Sequence, residues 1–182
     1  MKVEAVMFDC DGTLVDALWA AYKAEVKAIY SFGGNPPTME QFKRIVIGKA
    51  TWHDKYVEYG VKDIPSALNM FYDIYHNANF EMIPGAADIL ERVKLKDLPL
   101  ALVSHDKNRE GIVKRLKSSG AYEFFTEEEI SCATDSKTPV ILAQCKRIGV
   151  NPKKVIFTGD SAKDVRESNG AECMSVAVVN KY

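Results

Sequence analysis

Two textures alternate along this chain. Short β-rich apolar runs stand at 3–8 (VEAVMF), 99–104 (PLALVS), 155–159 (VIFTG) and 174–179 (MSVAVV), with a weaker run around Ile130. Segments of helical period lie between them. Over 107–119, Ile112, Val113 and Leu116 share a face, and Gly120 stands where a C′ glycine ends a helix. Over 138–148, Thr138 reads as the N-cap and Pro139 as a first-turn proline. Val140, Ile141, Gln144, Cys145 and Ile148 line one side, and Gly149 is the stop. Apolar strands alternating with helices predict a parallel sheet covered on both faces, an α/β fold of Rossmann-like type.

Residues 17–80 break that rhythm. Leu18, Tyr22, Val26 and Ile29 fall at helical spacing before Gly33-Gly34, and Thr38-Met-Glu-Gln41 matches a capping box opening a second helix. A third amphipathic segment covers roughly 50–59, and Pro65 begins a fourth with Leu68, Phe71, Tyr72 and Tyr75 on one face. The expected organisation is a small helical domain over 16–82, inserted into an α/β core made of 1–15 and 83–182. His53, Lys55, Arg44 and Lys49 read as solvated helix surface, with substrate contact as the sharper alternative.

Composition narrows the classes. With 182 residues and 47% apolar content the chain can bury a substantial core. Lys plus Arg (24) nearly balances Asp plus Glu (25), which argues against a nucleic-acid partner. No leader or membrane segment is expected, because the apolar run of "MKVEAVMF" is cut by Glu4 and ends at an acidic pair. Cys10, Cys132, Cys145 and Cys173 are scattered and read as free thiols of a reducing cytoplasm. His53, His76 and His105 lack the spacing of a zinc site.

The chemistry concentrates where strands end. Ligands of open α/β sheets bind beyond the carboxyl ends of the strands. There the chain carries Asp9-Cys10-Asp11-Gly12-Thr13, then Ser104-His105-Asp106, then Thr158-Gly159-Asp160-Ser161 with Asp164 one helical turn on; Lys137 precedes the helix over 138–148. Asp9 and Asp11 stand so close that each opposes the other's ionisation unless a cation lies near. Carboxylates without histidine or thiolate suit a hard cation such as Mg²⁺, while lysine, a hydroxyl and helix N-termini suit a phosphoryl group. A carboxylate can be the nucleophile toward phosphorus, and a second can serve as acid and base.

In these residues the chain resembles the haloacid dehalogenase superfamily of phosphohydrolases, specifically its members with a small helical cap after the first strand. Asp9 to Asp16 reads D-C-D-G-T-L-V-D, Ser104 and Lys137 match the second and third motifs, and Gly159-Asp160-Ser161-Ala-Lys-Asp164 matches the acidic fourth. The resemblance implies Asp9 as nucleophile and Asp11 as general acid and base. It implies Mg²⁺ held by Asp9, the backbone carbonyl of Asp11 and Asp160, and the phosphoryl group held by Ser104 and Lys137. Thr13, Gly159, Ser161 and Asp164 would support the site. Many relatives continue past the fifth strand where this chain ends "VVNKY", so a sheet face or edge is expected to be less covered.

The expectation is therefore a cytoplasmic, Mg²⁺-dependent phosphatase acting on a small-molecule phosphate ester such as phosphoglycolate, with no membrane or nucleic-acid partner, as a monomer or homodimer. A phosphosugar mutase of the β-phosphoglucomutase type is the alternative enzyme. A phosphonate hydrolase would need Lys23 or Lys27 placed for Schiff-base chemistry. A binding or regulatory protein on the same fold is the alternative from another class.

Overall fold

Five parallel strands carry the fold: β1 (Ala5–Phe8), β2 (Leu100–Ser104), β3 (Ile130–Cys132), β4 (Val155–Gly159) and β5 (Met174–Ala177). Their order in the sheet is β3-β2-β1-β4-β5. The computed structural model of the chain describes residues 2–47 and 52–179. β1 and β2 are buried at every position, as expected of central parallel strands covered on both faces. Register sets Phe8 beside both Leu102 and Thr158, so β1, β2 and β4 end side by side. Residues following those three strands therefore meet at one edge.

The helices between strands follow their patterns, with one correction. In α6 (Arg109–Ser119), Asn108 caps the start by accepting from Gly111 N–H at 3.0 Å, and Gly120 ends it in the left-handed conformation. α7 spans Lys137–Ile148, and its N-cap is Ser136 rather than Thr138. Ser136 Oγ accepts the Thr138 N–H at 3.1 Å, while the Thr138 hydroxyl donates to the Glu167 carbonyl at 2.8 Å. Lys137 thus lies inside the first turn. The face of α7 holding Ile141 and Cys145 packs on Met7, Val103 and Phe157 of the sheet.

Two compact units divide the chain, one running through Asp16 and resuming at Asn79, the other Ala17–Ala78. The second is helical among its described residues: α1 (Leu18–Ser31), α2 (Met39–Ile47), α3 (Trp52–Glu58) and α4 (Ile64–His76). The Thr38–Gln41 capping box forms, with Thr38 N–H on Gln41 Oε1 at 2.8 Å and Gln41 N–H on Thr38 Oγ1 at 3.3 Å. Ile29, Tyr56, Val61 and Ala67 form its core. Arg44 is solvated and pairs with Glu40. Lys55, expected on the surface, is instead buried, as is Glu25 of α1, whose charge lies close enough to act on it. Lys49 lies outside the described residues, as does the side chain of His53.

The remaining elements complete the sheet-bearing unit. α5 is Ala86–Leu95 and α8 is Ala162–Gly170. Val15 bridges Met82, and Ile83 N–H donates to the Leu14 carbonyl at 2.9 Å, so the outgoing and returning strands of the chain are stitched together. β5 is an edge strand on which Val176 is 45% exposed. No helix among the described residues is long and apolar enough to cross a membrane. All four cysteines are free thiols.

Candidate active site

Asp9 is the first residue past β1, held by its N–H on the Thr158 carbonyl of β4 at 2.8 Å. The next residues fold back at once. Leu14 and Val15 N–H both donate to the Cys10 carbonyl, and Gly12 N–H donates to the Val15 carbonyl. Gly12 has φ +79°, and a Cβ there would lie 2.0 Å from Asp160 Oδ2. Only glycine allows both that backbone and that approach. Gly159 is constrained by space alone, since its Cβ would lie 2.4 Å from Asp164 Cβ. The missing side chain at Gly12 thus lets the β1 loop close on the β4 loop, and that at Gly159 lets the β4 loop close on the first turn of its own helix.

Lys137 joins them. Its side chain is buried, and Nζ lies 2.6 Å from Asp9 Oδ1 and 2.6 Å from Asp164 Oδ1. Asp164 belongs to the first turn of α8. Its other oxygen accepts from Ser161 N–H at 3.1 Å and from the Ser161 hydroxyl, while Asp164 N–H returns to Ser161 Oγ. That capping box explains why G-D-S-x-x-D needs its serine and its last aspartate. Asp9, Asp160 and Asp164 each offer a carboxylate oxygen within 4.8 Å of the others. Of the three, Asp160 faces solvent.

The electrostatics are lopsided. Burial pushes the Asp9 carboxyl up to about 7, with Asp164 and Asp11 adding and Lys137 opposing. Asp160, solvent-facing on one side but crowded by protein on the other, is pushed up to about 6 by partial desolvation and then by Asp164. Burial opposes ionisation of Asp164 too, but Lys137 and Ser161 outweigh it and hold that carboxyl below its ordinary value. Burial would depress the Lys137 ammonium, yet Asp9 and Asp164 keep it above the usual lysine range. Three carboxylates around one ammonium leave negative charge to spare. An all-oxygen donor set of this kind fits a hard divalent cation, which would relieve the excess.

Ser104 ends β2, buried, with its Oγ accepting from Asp106 N–H at 3.1 Å. Thr13 is buried and its hydroxyl has no partner among the described residues. Asp11 is 31% exposed at its side chain. All the expected site residues therefore lie at the carboxyl edge of β1, β2 and β4 or in the first turns that follow β1 to β4, Lys137 coming from the turn after β3, in the one sheet-bearing unit.

Three residues were not singled out from the sequence. Arg115 of α6 has a fully buried side chain, with Nε 3.0 Å from Asp11 Oδ1 and one terminal nitrogen 2.7 Å from Asp106 Oδ2. Asp106, given no role in the sequence, is the second anchor of that guanidinium. Glu167 of α8 accepts the Lys137 N–H at 3.0 Å and lies 2.8 Å from His105 Nε2. His105 is held by that carboxylate; burial and Lys137 lower its pKa, against Glu167. Helical spacing was the available signal: Glu167 lies one turn past Asp164, and Arg115 one turn past Ile112.

Residues 6–178 match the family model described as haloacid dehalogenase-like hydrolase. Phosphoglycolate phosphatase 1 of Pseudomonas aeruginosa is 25% identical over 97% of this chain and 70% of that protein. N-acetylmuramic acid 6-phosphate phosphatase of the same organism is 26% identical over 100% of this chain and 84% of its own length. A haloacid dehalogenase-like hydrolase structure from Streptococcus pneumoniae superposes with TM-score 0.81 at 20% identity, over 97% of this chain and 85% of that one.

Proposed function

We propose that this chain, which belongs to the haloacid dehalogenase-like hydrolases, is a Mg²⁺-dependent phosphatase of small phosphate esters that works through an aspartyl phosphate on Asp9. The observation that carries the reading is the Asp9 carboxylate at the end of β1, 2.6 Å from buried Lys137 and within 4.8 Å of Asp160 and Asp164. Two similar proteins are named as phosphatases, of phosphoglycolate and of N-acetylmuramic acid 6-phosphate, which supports a small phosphorylated metabolite as substrate. Four free thiols suit a cytoplasmic location.

In this reading the Asp9 carboxylate attacks phosphorus as the P–O bond to the leaving group breaks, and Asp11 delivers its proton to the departing oxygen. Asp11, now a carboxylate, then takes a proton from water, whose oxygen attacks the acyl phosphate. The bond between phosphorus and Asp9 breaks, releasing phosphate and restoring both aspartates. Ser104 and Lys137 hold the phosphoryl oxygens through both steps. Mg²⁺, held by Asp9, the Asp11 carbonyl and Asp160, would neutralise phosphoryl charge when bound. Thr13, Gly159, Ser161 and Asp164 keep the loops in place.

Phosphate release from phosphoglycolate, hexose phosphates and nucleoside monophosphates, with Mg²⁺ and with EDTA, tests this for the wild type beside Asp9→Asn. Release that needs Mg²⁺ and vanishes in Asp9→Asn is expected. Transfer between positions of a phosphosugar without phosphate release would instead mark a mutase, and inertness to every ester would sink the reading.

A further inference from the structure

The geometry points to Arg115 as a positioning residue that orients the Asp11 carboxyl for proton transfer. The proposal rests on Asp11 acting as the acid and base. Arg115 occupies a core position of α6: Ile112 and Leu116, three residues before it and one after, are fully buried on the same face. Leucine or methionine would fill that position without desolvation cost. A guanidinium there costs several kcal/mol unless carboxylates repay it, so its charge has to be used.

Its use is visible in its contacts. Nε lies 3.0 Å from Asp11 Oδ1 as an ion pair without hydrogen-bond alignment, and the far end of the fork donates a hydrogen bond to Asp106 Oδ2 at 2.7 Å. The Cys10 thiol lies against the same guanidinium; its pKa is pushed well up by burial and then by Asp11, with Arg115 opposing. The far anchor is rigid. Asp106 accepts Asn108 N–H at 2.8 Å and donates its own N–H to Ser104 Oγ at 3.1 Å, and Asn108 caps α6. A planar fork fixed at one end transmits that rigidity to the other. Asp11 is partly exposed, on a loop, and would otherwise be able to turn about Cβ–Cγ. With one carboxylate oxygen drawn to that charge, the other is the one left to carry the proton, and misplacement of a transferring group is costly even at small displacements.

First-turnover rates test this with two esters, an alkyl phosphate and p-nitrophenyl phosphate, whose leaving group departs without a proton. Arg115→Met should slow the first turnover of the alkyl ester roughly tenfold or more, with KM little changed, and that of the nitrophenyl ester by less than about threefold. Nitrophenolate should then appear as a burst, because the hydrolysis step still needs Asp11. In an Asp11→Asn background the Arg115 change should cost nothing further, and Arg115→Lys should recover part of the loss. Asp106→Asn, which keeps volume and loosens only the far anchor, should show the same selective pattern and serves if Arg115→Met does not fold. Equal losses on both esters, or a further loss in the Asp11→Asn background, would overturn the proposal while leaving the phosphatase reading standing. A wild type inert to every ester overturns both.

Discussion

Glu25 is the acid of the helical unit that ought to be felt in stability. It lies on the buried face of α1 with Ala24, Ala28 and Ile29, and neither carboxyl oxygen has a hydrogen-bond partner among the described residues. Tyr56 and Tyr59 bring buried hydroxyls without hydrogen-bond partners among the described residues, and Lys55 supplies the nearby charge. Burial pushes Glu25 from 4.5 up to about 7, with Lys55 opposing. The unfolded chain binds fewer protons than the folded one wherever pH lies between those values. The group's contribution is therefore intact below about 4.5, is lost as pH rises toward 7, and stays lost above it. A shift of that size corresponds to about 3 kcal/mol.

Thermal unfolding of wild type and Glu25→Gln from pH 4.5 to 8 reads this out. The wild type should lose roughly 6–12 °C of Tm relative to the variant over that interval, taking about 2–4 °C per kcal/mol for a protein of this size. Asp9 and Asp160 are raised as well and tilt both curves the same way, so the difference between the curves carries the information. Parallel curves would refute the argument, and would mean that Lys55 or water compensates the charge within the folded unit.

The other predictions concern the sheet edge. Lys137→Met should destabilise the metal-free protein by about 3–5 kcal/mol, seen as a lower Tm, because Asp9 and Asp164 are left as buried charges without their cation. Gly159→Ala, whose Cβ would lie 2.4 Å from Asp164 Cβ, should displace Asp164, lower Tm and cut phosphate release; unchanged activity would show that the β4 loop yields. Inorganic phosphate should raise Tm measurably with Mg²⁺ and little in EDTA, and equal stabilisation in both would count against a cation-dependent site.

Much of this was legible before any coordinates because the needed signals are local. β1, β2 and β4 announce themselves as apolar runs, and each is followed directly by the residues that meet at the edge. The close approach of Gly159 to Asp164 is encoded within a single motif. What stayed hidden is charge at core positions of helices. Periodicity assigns a helix face by its apolar members, so Arg115, Glu25 and Lys55 were overlooked or read as solvated, although all three are buried. Their partners decide the matter, and Arg115 meets Asp11 from 104 residues away, beyond the reach of any local pattern. The Ser136 cap was missed for a smaller reason. Ser136 and Thr138 are both good caps, and only the Glu167 carbonyl, which engages the Thr138 hydroxyl, separates them.

The two buried cations sort the aspartates of the site into sets with different demands. Lys137 takes Asp9 and Asp164, while Arg115 takes Asp11 and Asp106. Two carboxylates two residues apart in sequence are thereby paired with cations on different helices, α7 and α6. In the proposed chemistry that separation is required, since one must stay ionised to attack while the other carries a proton to give. Asp160 is left to face solvent with no lysine or arginine of its own among these contacts. Five carboxylates against two cations would repel a phosphate dianion. A third, divalent positive charge beside Asp160 and Asp9 removes that repulsion at the point where the ester must arrive. On this argument the excess of acid at the end of β1 suits the site to a divalent cation.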